Sequence, residues 1–96
     1  MIVSLDELKD HLRVQTDDED DLLVAYLTQA QEAASNYCRV DWEDAETVPE
    51  TVRLAVMLMA SHFYENRDSA DKSAYTTMMM AFRMLLYPNR NPEAMF

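Results

Sequence analysis

The chain has 96 residues, no glycine, three prolines, one cysteine and a formal charge of −10. That length fits one small domain with a thin core, for which association between copies is a natural supplement. Without glycine there is no residue lacking Cβ to form a phosphate loop or a dinucleotide fingerprint, while apolar and charged fractions of 49% and 27% are those of a folding chain.

Ser4 and Glu7 form an S-x-x-E capping box, and Leu5, Leu8 and Leu12 follow at helical spacing. A first amphipathic helix is therefore expected over residues 5–14. Thr16 and Glu19 make a second box, behind which Leu22, Leu23, Tyr26, Leu27, Ala30, Ala34 and Tyr37 repeat every three or four residues, giving a helix over 17–38. Residues 40–48 are acidic and aperiodic and read as a connection with room for a short extended piece, Trp42 folding back onto the core.

Pro49 suits a first helical turn, and Val52, Ala55, Val56, Met59 and Phe63 continue from it, so a third helix is expected over 49–66. Leu54, Met57, Leu58 and Ala60 make it apolar nearly all round, the pattern of a helix that is central or shared with a neighbouring subunit. Residues 67–76 are small and polar and read as a surface connection. A fourth helix over 77–87 places Met79, Phe82 and Leu86 on one face and stops at Pro88, leaving 88–96 as a non-helical tail. No strand alternation, hairpin turn or internal repeat is present, so the fold class is all-α, a bundle of four helices in a single domain over 1–96.

Charge is unevenly spread: residues 1–50 hold 14 acids and 3 bases, whereas residues 51–96 hold 4 acids and 5 bases. Affinity for DNA through phosphate neutralisation needs clustered Lys and Arg, so this balance argues against it. It fits a basic protein partner, as for an acidic DNA-mimic or regulatory protein, simple solubility, or a surface that stays near DNA without holding it. The lone Cys38 offers no intrachain disulfide and no secretory signal is visible, which points to a reducing cytoplasm. The longest apolar run, residues 54–60, falls far short of the roughly 20 residues that span a bilayer.

Catalytic, cofactor and metal constellations are sought without success. The run Asp17, Asp18, Glu19, Asp20, Asp21 fails as a calcium loop, because Leu22 and Thr28 stand where glycine and glutamate are required. Those five acids suit the start of a helix, or a patch turned toward a partner or a channel. His11 and His62 lack zinc-site spacing, Cys38 lacks an activating partner, and adjacent Ser61 and His62 point about 100° apart on a helix. Of eight methionines, four stand at 78, 79, 80 and 84, which suits either core filling or an adaptable interface. Met57, Tyr64, Met78 and Met80 are the candidate subunit contacts, and Tyr87, Met95 and Phe96 the candidate docking residues.

The segments SLDELKDHLRV (4–14), DDEDDLL (17–23), AQEAASNYC (30–38), VPETVRLAVMLMASHFYENRD (48–68) and MLLYPNR (84–90) resemble, in order and spacing, the small head-tail connector (adaptor) proteins of tailed bacteriophages and prophages. One departure is that relatives commonly carry glycine after the second helix, where Tyr37, Cys38 and Arg39 stand here. The resemblance implies a non-enzymatic, cofactor-free virion protein at the head-tail junction. It further implies a homo-oligomeric ring of about a dozen copies between the portal protein and a stopper or tail-completion protein, unlike faces closing the ring. DNA would pass through without specific binding, and the short apolar runs noted above give no expectation of a membrane partner.

Overall fold

The computed structural model describes residues 1–67 and 71–91. Four helices follow in chain order: α1 (Leu5–Leu12), α2 (Asp20–Cys38), α3 (Glu50–Glu65) and α4 (Lys72–Leu86), with a 3-10 turn over Tyr87–Asn89. No strand occurs among the described residues, and the connection over 40–48 is irregular, with a turn at 42–44. The architecture is a small all-α bundle.

Capping decides the boundaries. At α1 the expected box is complete, since Ser4 Oγ accepts from the Glu7 amide at 3.0 Å and the Ser4 amide donates to Glu7 Oε1 at 3.1 Å. The helix ends two residues earlier than expected, because Arg13 turns left-handed at φ 61° and directs its amide to the carbonyls of Lys9 and Asp10. The second box does not form. Glu19 is the N-cap of α2 and makes no side-chain cap, so α2 starts at Asp20 rather than 17. Its C-terminus is another left-handed arginine, Arg39 at φ 59°, in the position that glycine fills most easily.

Helix α4 is longer than the periodicity suggests. Asp71 caps it by accepting from the amides of Ser73 and Ala74 at 2.9 and 3.2 Å. Residues 72–76, expected as part of a polar connection, are therefore its first turn and a half. At the other end Pro88 sits within the 3-10 turn rather than directly behind the helix.

Helix α3 is central and packs extensively on both α2 and α4, as its apolar sequence suggests. Leu8, Leu23, Leu27, Val52, Val56, Phe82 and Leu86 are all buried, together with Val3 from the N-terminal segment. Each side chain of this size contributes about 1.5–3 kcal/mol by leaving water. Trp42 does fold back, and is only 6% exposed. Gln31 helps fix this connection, accepting from the Ile2 amide at 2.9 Å and donating to Glu43 at 2.5 Å. At the far end the Asn91 amide donates to the Cys38 carbonyl at 2.8 Å and the Arg90 guanidinium stacks 4.7 Å over the Tyr37 ring, joining the end of α4 to the end of α2. The subunit measures 43 × 31 × 17 Å. Its thin dimension is less than two helix diameters, so apolar side chains remain on the surface.

Candidate functional site

The acidic turn between α1 and α2 is mostly engaged in holding the subunit together. Lys9, whose side chain is only 12% exposed, reaches back from α1 to Asp17 Oδ1 at 2.8 Å and Asp20 Oδ1 at 2.7 Å. Hydrogen bonding to these carboxylates raises the lysine's proton affinity, and the same contact holds the Asp17 carboxyl below its ordinary range. Glu19 leaves its expected capping role because Tyr64 donates to its Oε1 at 2.9 Å and Arg67 lies 3.5 Å from its Oε2. Three of the five acids are thus anchors. Asp18 and Asp21 are exposed, and the ion pairs described here do not use them.

A second polar tie holds α1 on α3. Arg53 donates from Nε to the Ile2 carbonyl at 3.1 Å and pairs with Glu7 and with Glu50, the latter at 3.2 Å. The Glu7 carboxyl is held below its ordinary range, first by the Ser4 amide of the capping box and then by Arg53.

The opposite character prevails on α3 and α4. His11, Leu54, Met57, Leu58 and Leu85 line an almost wholly apolar groove of about 280 Å³, at which Leu54 is half exposed. Along the outward face of α4, Met80 and Met84 are 59% and 73% exposed, and Tyr87 on the following 3-10 turn is 63% exposed. Such side chains adapt their shape to whatever covers them. Exposed apolar side chains of this kind are the material from which interaction surfaces are built.

The residues expected at interfaces separate accordingly. Met57 lines the groove and Met80 stands on the outward face of α4. Met78 is a correction: it is 5% exposed and belongs to the core, because its position on α4 lies one turn from Phe82 on the inward face. Tyr64 is half-buried and engaged internally, with its hydroxyl on Glu19 and the Arg67 guanidinium 4.4 Å above its ring. Tyr87 is exposed, while Met95 and Phe96 lie outside the described residues. Leu54, Leu58, Met84 and Leu85 were not singled out as contacts from sequence. Met84 carried a signal, standing one turn beyond Met80.

Other reactive side chains are structurally engaged. Cys38 is buried with its thiol 3.7 Å from the Leu86 carbonyl, and burial pushes the thiol pKa up. His62 packs against Phe63 and Tyr75, with Asn66 Nδ2 3.3 Å from its Nδ1. Among the described residues no group of three or more His, Cys, Asp or Glu side chains is placed to hold a metal ion, and no helix is long and apolar enough to cross a membrane.

The family described as phage gp6-like head-tail connector protein matches residues 2–90. That span contains all four helices and the 3-10 turn. No curated protein and no solved structure matches at a significant level.

Proposed function

The chain belongs to the phage gp6-like head-tail connector family, and from that premise we propose a ring subunit that joins the portal vertex of the head to the stopper or tail. Its role is that of a structural connector rather than an enzyme. The family match across residues 2–90 carries this reading. About a dozen copies would close the ring head to tail, which requires two unlike, complementary faces on every subunit. An acidic α2 side and an apolar α3–α4 side support that requirement.

Within this assembly Met57 and Met80 are the proposed lateral contacts, and Tyr87 with Met95 and Phe96 the proposed docking residues toward the portal or tail. Asp18 and Asp21 are the members of the acidic turn available to a DNA passage or a partner, because Asp17, Glu19 and Asp20 serve the fold. A negative lumen repels phosphates and denies the passing genome long-lived binding sites. The ring would be built in the host cytoplasm and operate at the head-tail junction of the virion.

Co-sedimentation of the purified chain with the portal oligomer and the stopper protein of the same phage tests this reading. The expected result is saturable binding to the portal at fixed stoichiometry, with the stopper retained only when the chain is present. Failure to bind the portal, or retention of the stopper without the chain, would overturn it.

A further inference from the structure

The outward faces of α2 and α4 carry charge of opposite sign at the same spacing. Helix α2 contains three acids and no Lys or Arg, and helix α4 contains Lys72 and Arg83 and no acid. Asp21 and Glu32 stand eleven residues apart on α2, as do Lys72 and Arg83 on α4. Eleven residues is three helical turns, so each pair lies along one face with its charges about 16.5 Å apart. All four side chains are exposed, and none takes part in the ion pairs described within the subunit. The internal ties instead use Lys9, Arg53, Arg67 and the N-terminal ammonium.

Between and beside these charges the two faces differ in relief. On α4 stand Met80 and Met84, the latter the most exposed large apolar side chain described. On α2 the same interval holds Val24, 38% exposed, with the small side chains Ala25 and Thr28, which permit close approach. Since α3 packs against both helices, the two faces point away from the helix they share.

From this we propose that the outward face of α4 on one copy docks on the outward face of α2 on a second copy. Lys72 and Arg83 there meet the carboxylates of Asp21 and Glu32, and the methionines cover Val24, Ala25 and Thr28. The proposal rests on the connector reading and specifies its lateral contact. Equal spacing lets both ion pairs form whether the helices run parallel or antiparallel. The contact is heterologous, so each copy keeps a free α4 face at one end and a free α2 face at the other, which is what ring growth needs.

Paired charge reversal tests it. One variant carries Lys72→Glu and Arg83→Glu, the other Asp21→Lys and Glu32→Lys, and sedimentation velocity follows each alone, the two mixed and the unaltered chain. All four positions are exposed, so helix content should be kept and the melting temperature should move by no more than the small helix-dipole effect of Asp21→Lys and Lys72→Glu in the first turns, and this is checked first by circular dichroism. The expectation is that the unaltered chain self-associates, that each variant alone associates at least tenfold more weakly because like charges now face each other, and that an equimolar mixture regains association. The two sets of reversals shift charge by equal and opposite amounts, so the mixture keeps the average of −10 per subunit. A mixture no better than its components would overturn the α2–α4 contact and leave the connector reading intact. An unaltered chain that stays monomeric at every concentration would overturn a second copy as the occupant, and the portal assay would then judge the connector reading separately.

Discussion

The α1–α2 junction and the α3–α4 face solve different problems with different materials. Around the junction, charge is paired within the subunit: Lys9 joins Asp17 and Asp20 between α1 and α2, Arg53 joins Glu7 of α1 and Glu50 on its own helix α3, and Arg67 joins Glu19. On the α3–α4 side apolar packing does the joining, and apolar side chains are left over on the surface at Leu54, Met80 and Met84. Charge content by itself would have made the acidic turn the interaction surface. Most of that charge is instead paired within the subunit, while the side chains of Met80 and Met84 stand exposed.

The comparison is broken most severely from the packing side. Phe82→Ala, at a residue 1% exposed in the core, should lower unfolding stability by about 3–5 kcal/mol in a urea titration. A smaller loss is expected at the polar tie. Arg53→Met should cost about 1 kcal/mol at neutral pH, a partly exposed ion pair being worth little more than that.

The Arg53 loss should also depend on pH. Because the Glu7 carboxyl is held below its ordinary range in the folded state, its contribution is present above that range and disappears as pH falls through the folded value. The difference in urea midpoint between Arg53→Met and the unaltered chain should therefore narrow at about pH 3, where an ordinary glutamate is protonated. A difference of the same size at both pH values would show that Arg53 acts through its Ile2 carbonyl contact rather than through Glu7.

Arg39→Gly should act in the other direction and stabilise by about 0.5–1 kcal/mol, since a side chain disfavours the left-handed backbone adopted there. The smallest effect on the subunit sharpens the contrast most. Met80→Ser with Met84→Ser should change monomer stability by less than about 0.5 kcal/mol, yet weaken association measured by sedimentation.

Much of the fold was legible in the residues. The Ser4–Glu7 box and the periodicity of Leu23, Leu27, Ala30 and Ala34 placed α1 and α2, and the unbroken apolar character of 54–60 marked α3 as central. What was missed came from competition for the same side chains. Thr16 and Glu19 read as a capping box, but Glu19 is taken by Tyr64 and Arg67 from α3 and the segment beyond it. The start of α4 was missed because Lys72–Thr76 lack an apolar period, although Asp71 ahead of them is a sound capping residue. Interface residues were the least legible. Met78, Met80 and Met84 are chemically identical, and only their angular positions on α4 decide that the first fills the core while the others face outward.

The central claim is a ring at the head-tail junction, and the most direct measurement is the solution mass by light scattering behind size exclusion, alone and with the portal oligomer, across concentration and salt. The account predicts an assembly of about twelve times the 11.2 kDa subunit mass, either free or on the portal. A chain that remains monomeric under both conditions, and that binds a basic protein in a salt-sensitive one-to-one complex instead, would contradict it.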